Sequence, residues 1–515
     1  MLLIFPPLAK ACEPPAGITR LAGFLRGNNQ ECHLWDANLE GQLYLLSLQQ
    51  TPKDSWSKRA SKNIQTNLDG LRGQQLYTNN DRYQRAVRDI NRALSKSCPT
   101  FDGTITIADY QDSKLSPHQS DDLLKAAKEY NTNVFFPFFQ KRIPALLADE
   151  NSNDQWIGIS LNYLSQALPT FALAGYLRQK YPSHKIVIGG GLVTSWLRSP
   201  GWINPFSDIF DLMIAGQGED ALLELLDSYP SHGHQPPDYT GFPLTDYLSP
   251  GLILPYSAST GCYWNRCSFC PEKAEGSPYM RLSSEQAMAD LKYLTRTFRP
   301  RLIHLLDNAV APSLMKHMIQ EPLGADWYGF ARVSQELSDL RFCQDLRKSG
   351  CVLLKLGIES GSQEVLDAMD KGINLTMVEE ALAALRLAGI ATYVYLLFGT
   401  PAESSAEARQ TLDFTIRNAD AITFLNLAVF NLPRNSSETD ALELRDFSAG
   451  DLGLYSDFHH PKGWDRKAVR NFLATEFKTE PTIRQILQRD PPFFTSNHAA
   501  LMLQNDKRYK GTTNE

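Results

Sequence analysis

At 515 residues the chain exceeds what one ordinary hydrophobic core supports, and a composition of 43% apolar and 21% charged residues without low-complexity tracts excludes disordered and repeat architectures. Its 57 acidic residues outnumber 51 basic ones, a formal charge of −6 that offers nucleic acid no broad positive field. No stretch is long and apolar enough to span a bilayer, and the apolar start Met1 to Phe5 is cut off by Pro6 and Pro7 with no basic segment before it, so no secretory leader or membrane partner is expected and the cytoplasm is the expected location.

In chain order, residues 1 to 36 read as strand (Leu2 to Phe5), Pro-rich loop, helix (Pro14 to Leu25) and strand (Cys32 to Asp36). From about 40 to 150 the pattern turns polar, with helical stretches such as Asp81 to Leu94 and Asp121 to Tyr130, and reads as an insertion. Alternation returns with strands at Trp156 to Leu161, Lys185 to Ile188 and Asp211 to Ala215, and helices at Pro169 to Lys180 and Glu219 to Leu226. Glycine turns, Gly189-Gly190-Gly191 and Gly216-Gln217-Gly218, follow two of these strands. The pattern predicts an α/β fold with a doubly wound, Rossmann-like parallel sheet over 1–228, whose ligand sits at the carboxyl ends of the strands. A Pro/Gly-rich run from Pro230 to Pro250 predicts a linker over 229–250. Six further strands are expected at 253–258, 301–307, 327–333, 352–359, 391–399 and 421–430. Capping boxes open three of the intervening helices: Ser283 with Gln286, Thr376 with Glu379, and Ser404 with Glu407. Together these predict a partial (β/α)6 TIM-type barrel over 251–432, with its chemistry at the C-terminal strand ends, and a small C-terminal region over 433–515 that ends in a frayed polar tail.

Three of the eight cysteines, Cys262, Cys267 and Cys270, crowd into the loop Thr260-Gly261-Cys262-Tyr263-Trp264-Asn265-Arg266-Cys267-Ser268-Phe269-Cys270, directly after the first barrel strand. Crowding of this kind points to metal ligation rather than a disulfide framework, which would leave an odd cysteine. A closed zinc site wants a fourth Cys or His nearby, and the next cysteine is Cys343. A 4Fe-4S cube held by three thiolates instead keeps one iron open to a chelator. Zinc stands as the lesser alternative.

On these residues the segment 250 to 430 resembles the radical S-adenosylmethionine (SAM) superfamily, and Thr260 to Cys270 is similar to its cluster loop. Four residues separate Cys262 from Cys267, where the superfamily's commonest gap is three. The resemblance implies a 4Fe-4S cluster on Cys262, Cys267 and Cys270, SAM chelating the open iron, and a low-potential electron donor such as flavodoxin or ferredoxin. It further implies SAM contacts from Phe269, Asp307, Arg332, Glu359, Ser360 and Gly399: carboxylate to ribose hydroxyl, arginine to methionine carboxylate, Phe269 beside adenine.

Upstream, Phe5-Pro6-Pro7 and Glu13-Pro14-Pro15-Ala16-Gly17-Ile18, with Gly158, Ser160, Gly189, Gly190, Gly216, Gly218 and Glu219, resemble the cobalamin-binding domain fused to one large class of that superfamily. Cobalamin is thereby implied. The cobalt-ligating Asp-x-His-x-x-Gly has no histidine at the matching place; Asp457 to Gly463, with His459 and His460, imitates it but is one residue too long and lies beyond the barrel. The combined resemblance implies methyl transfer through cobalamin to an unactivated carbon of an unknown substrate. Alternatives are a cobalamin-free or non-methylating radical enzyme, including a methylthiotransferase with a second cluster on Cys12, Cys32 and Cys98, and a non-catalytic iron-sulfur protein.

Overall fold

A computed structural model describes residues 1–48, 53–148, 156–229, 233–445, 450–491 and 498–505. The chain divides into two compact units, Met1–Leu76 with Asp81–Ser249 and Ser448–Leu454, and Tyr77–Asn80 with Pro250–Phe447 and Tyr455–Glu515. Pro230 and the polar tail beyond 505 lie outside the described residues.

In the first unit, β1 (Leu2–Phe5), β2 (His33–Asp36), β3 (Trp156–Ser160), β4 (Lys185–Gly189) and β5 (Leu212–Met213) form one parallel sheet in the order β2-β1-β3-β4-β5. This order reverses between β1 and β3, which sets a crevice outside their carboxyl ends. Helix α1 (Ala16–Gly27) buries Ile18, Ala22 and Leu25, one face at helical spacing, against Leu3, Phe5 and Val187 of the sheet. Helix α2 (Leu164–Lys180) begins five residues before the expected Pro169. Gln166 closes its start by accepting from the N–H groups of Asn162 and Tyr163 at 3.0 and 3.1 Å. Burial from Gln166 to Ala174 then outweighs the single helical bond that Pro169 removes.

Among the described residues, the stretch expected as an insertion opens in the helix Ala37–Ser47 and continues through the helices Ser55–Lys62, Ile64–Arg72, Asn80–Ser97, Ser120–Lys128 and Phe136–Leu147, with a hairpin of Gly103–Ile105 and Tyr110–Asp112. The run expected as a linker is, from Asp238 on, fastened to the first unit. Asp238 accepts from Arg26 at 2.7 Å, the Tyr247 hydroxyl donates to Asp36 at 2.7 Å, and Leu248 N–H donates to Ala11 O at 2.8 Å.

In the second unit, β6 (Ile253–Tyr256), β7 (Leu302–Leu305), β8 (Asp326–Ala331), β9 (Cys351–Glu359), β10 (Ala391–Phe398) and β11 (Phe424–Val429) pair in sequence order as a six-stranded parallel sheet. Helices α3 (Ser284–Phe298), α4 (Pro312–Gln320), α5 (Leu340–Lys348), α6 (Leu375–Ala388) and α7 (Ser405–Arg417) cross between them, the partial barrel expected. Ser404 and Glu407 form a complete capping box, whereas Ser283 accepts from Gln286 N–H without the return bond. At α6 the cap is Asn374, which accepts from the N–H groups of Thr376 and Met377 and starts the helix ahead of the expected Thr376. A plug closes the sheet interior: His304 stacks on Tyr328 at 4.4 Å, Lys355 lies 2.9 Å from His304 Nε2 and 4.7 Å from the Phe330 ring, and Tyr395 packs on Phe330 and Tyr393. Beyond β11, helix α8 (Arg466–Phe472) packs Phe472 on Phe398 of β10. Among the described residues no helix is long and apolar enough to cross a membrane.

Candidate active site at the barrel mouth

After β6 a short antiparallel pair, Ser259–Thr260 with Met280–Arg281, closes the cysteine loop into a pouch. Asp307 fastens its root, accepting from Ala258 N–H at 3.2 Å and from the Ser259 hydroxyl at 2.5 Å. Gly261 turns the chain into Cys262 at φ +69°, and a Cβ there would lie 2.6 Å from Pro278 O. The three thiols are free and half-buried. Burial raises the pKa of Cys267, opposed by Lys371 and Arg332; burial also raises Cys270, opposed by the N–H groups of Lys273 and Glu272.

The long gap between the first two cysteines releases Trp264. Asn265 takes φ +45° and the indole swings out of the loop, its N–H donating to Asp370 O at 3.0 Å. The Arg332 guanidinium lies 3.9 Å from the Trp264 ring and that of Arg266 5.0 Å. Gly372, at φ +62°, makes room: a Cβ would meet the indole at 2.1 Å. Arg332 also donates to Lys371 O and, at 2.9 Å, to Gly372 O, while Ser268 N–H donates to Met369 O at 3.0 Å. The turn 369–372 therefore receives the cysteine loop through Trp264 and Ser268, and Arg332 ties the same turn to the indole from the end of β8.

β9 ends in a bulge between Gly357 and Glu359, with Glu359 at φ +71°, a rare conformation outside glycine. Its carboxylate folds back over Gly357 and pairs with Lys371 at 2.9 Å, both side chains nearly buried. The same ammonium lies 5.4 Å from the Phe269 ring, and Phe269 packs on Phe430, Leu432 and Phe458. The buried Ser360 hydroxyl bonds to Thr411 Oγ1 at 3.2 Å and accepts from Ser362 N–H at 3.1 Å, inside the fold. Gly399 follows β10 and donates its N–H at 2.5 Å to Glu403, which also accepts from Trp464 Nε1 at 2.9 Å. Burial pushes the Glu403 carboxyl up to about 7.

The model of the radical SAM superfamily matches residues 256–415. The chain carries a radical SAM domain. A curated protein, an uncharacterized methyltransferase of Pyrococcus horikoshii, is 25% identical over 188 residues, 35% of this chain and 40% of that one. Among solved structures, the radical SAM methyltransferase TsrM of Kitasatospora setae, with tryptophan substrate and a SAM analogue bound, superposes with a TM-score of 0.56 at 14% identity, covering 98% of this chain and 94% of that one. The cobalamin-dependent radical SAM enzyme OxsB, with aqua-cobalamin bound, has a TM-score of 0.45 at 17% identity, over 55% of this chain and 46% of that one. The likeness to TsrM is one of fold. This chain spans less than half the length of the curated methyltransferase and of OxsB where it matches them.

A radical SAM domain implies a 4Fe-4S cluster and SAM. The donor set here fits: three free thiols on one loop, with Arg332 and Lys371 beside them to offset thiolate charge. Among the described residues no three His, Cys, Asp or Glu side chains converge on a point that would hold one metal ion. A cube asks for less convergence, since each thiolate binds its own iron, whereas zinc needs every sulfur at about 2.3 Å from one centre.

In the first unit, Ser160, Gly189 and Gly190 stand at the carboxyl ends of β3 and β4, and Asn162 joins them, bonding to Ser160 Oγ and Gly191 N–H at 3.0 Å each. Gly216 and Gly218 follow β5, and Glu219 opens the next helix, paired with Arg20 at 2.5 Å. Gly158 sits lower, inside β3, where a Cβ would strike Leu3 at 2.7 Å. In the second unit His460 Nε2 lies 2.9 Å from Thr400 O, and His459 is exposed. Trp264, Lys371, Gly372 and Glu403 shape the mouth without having been singled out from sequence; the long cysteine gap and the Asp370-Lys371-Gly372 turn signal were the available clues.

Proposed function

We propose that this chain is a cobalamin-dependent radical SAM methyltransferase acting on an unactivated carbon. The observation that carries the reading is the union, in one chain, of a three-cysteine loop at the mouth of a (β/α)6 sheet with an upstream parallel sheet of order β2-β1-β3-β4-β5, whose rim is glycine-rich. TsrM, which shares the fold with a TM-score of 0.53 over 92% of this chain, has been solved with cobalamin and a 4Fe-4S cluster. A reduced cluster supplies the electron that cleaves SAM, and cobalamin supplies a methyl carrier. A methyl carrier in the same chain as a radical-generating barrel is superfluous for simple hydrogen abstraction, and equally so for ordinary nucleophiles, which SAM methylates directly.

The chain's own residues bind and orient. Cys262, Cys267 and Cys270 hold the cluster, and Asp307 fixes the root of their loop. Phe269 and the Gly399 turn flank adenine, Glu359 accepts from ribose hydroxyls while Lys371 holds it in place, and Arg332 completes the SAM surface, with the inward Ser360 hydroxyl bracing the strand end behind it. Ser160, Gly189, Gly190, Gly216, Gly218 and Glu219 form the cobalamin-binding face of the first unit, and Gly158 lies deeper in β3, packed on Leu3. Flavodoxin or ferredoxin serves as electron donor.

The test is anaerobic reconstitution with cobalamin, followed by mass analysis of products. Methyl transfer by this route yields 5'-deoxyadenosine and S-adenosylhomocysteine in equal amounts, and a deuterated substrate passes its label to 5'-deoxyadenosine. Formation of 5'-deoxyadenosine alone, with a product of unchanged carbon count, would refute the methylation.

A further inference from the structure

We infer that a cationic cavity beside the barrel mouth takes the anionic group, carboxylate or phosphate, of a small organic substrate. The inference deepens the proposed function and rests on it only in calling the occupant a substrate. The cavity, about 310 Å3, opens where β10 ends at Gly399 and β11 at Phe430, and the segment from Asp457 to Arg470 closes its far side. Its walls include Phe430 and Phe458, whose rings meet edge to face at 5.9 Å, and Trp464.

Charge is unevenly placed around these aromatics. Arg445, Arg466, Lys467 and Arg470 face two acids, Asp457 and Asp465. Both acids are already engaged: Asp457 lies 3.7 Å from Arg445, and Asp465 caps α8 by accepting from the N–H groups of Lys467 and Ala468 at 3.0 and 2.9 Å. His460 adds no cation, because its Nδ1 accepts from the N–H groups of Lys462 and Trp464 at 3.2 Å, which leaves the proton on Nε2 to bond to Thr400 O. Arg466 uses one terminal nitrogen on Phe430 O and Asn431. Among the described residues the charged end of Arg470 makes no hydrogen bond or ion pair, and that of Lys467 makes none either, although its charge helps to hold the Asp465 carboxyl below its ordinary range.

Arg466 and Arg470 stand one turn apart on α8, a spacing at which like charges repel. An anion between them replaces that repulsion with charge-assisted hydrogen bonds, and the guanidinium fork matches the paired oxygens of a carboxylate or phosphate. Phe430 and Phe458 also pack on Phe269 of the cysteine loop, so a molecule anchored by its acid group would lie along the aromatic surface that leads to the cluster loop.

Calorimetric titration of inorganic pyrophosphate and of citrate into the full-length, iron-sulfur-loaded protein tests this, the two probes separating phosphate from carboxylate preference. Saturable binding of at least one probe is expected, weakening with added salt and about tenfold weaker in Arg470→Ala, since one charge-assisted contact is lost. Among the described residues the Arg470 side chain makes no hydrogen bond or ion pair, so its variant keeps the fold, and Lys467→Ala provides a second. Absence of saturable binding, affinity unchanged in both variants, or displacement of the probe by SAM would overturn the inference. Iron and sulfide content reports separately on the proposed function: a protein that loads the cluster and cleaves SAM yet binds neither anion refutes only the cavity.

Discussion

Trp264 owes its position to the extra residue between Cys262 and Cys267, and its indole fastens the loop through one hydrogen bond and two guanidinium contacts. Removing it loses about 1 kcal/mol for the hydrogen bond and about 0.5–2 kcal/mol for the Arg332 stack. Trp264→Ala should therefore release iron to a chelator faster than the unmutated protein, with Trp264→Phe intermediate because it keeps the stack; identical release rates would show that the indole does not position the loop. Gly372→Ala should act in the same direction, since its Cβ would occupy the indole's place. Glu403 makes a different kind of claim. Its folded pKa, about 7, lies above its ordinary value of 4.5, so the stability it contributes is complete below about 4.5 and is lost as pH rises through 7. The shift is worth on the order of 3 kcal/mol. Unfolding midpoints should show Glu403→Gln gaining on the unmutated protein between pH 5 and pH 8, and a constant difference would refute the shift. At this scale the cysteines were legible because ligand spacing is a local pattern. Lys371 and Glu403 were not, because Lys371 meets Phe269, and Glu403 meets Trp464, across segments far apart in sequence.

Strand and helix alternation made both sheets readable, since a buried parallel strand and an amphipathic crossover differ in period. Boundaries depended on hydrogen bonds that pattern does not reveal. Pro169 looked like a start, but Gln166 closes the helix earlier. Thr376 looked like a cap, but the Asn374 carboxamide reaches the first free N–H groups. The Pro/Gly-rich run read as a linker because its ties, to Arg26, Asp36 and Ala11, are remote in sequence. Where the box was complete, at Ser404 and Glu407, its energetic consequence follows. Ser404→Ala should cost about 1 kcal/mol in urea unfolding, while a change under a few tenths would mean that Glu407 alone holds the terminus.

For the whole molecule, the two units carry separable expectations. The first offers no histidine in the place where a cobalt ligand is expected, so a corrinoid bound there should show a base-off spectrum, unchanged in His459→Ala and His460→Ala; altered axial ligation in either variant would contradict that. The second unit carries the central claim, that the three cysteines of one loop hold a cluster which opens SAM to reductive cleavage. Anaerobic reconstitution with iron and sulfide, followed by metal and sulfide analysis and a SAM-cleavage assay under reductant, tests it most directly. The account predicts about four iron and four sulfide per chain, 5'-deoxyadenosine formation, and loss of both in Cys262→Ala, Cys267→Ala and Cys270→Ala. One tightly bound zinc without sulfide, or a cluster that survives any of the three substitutions, would contradict it.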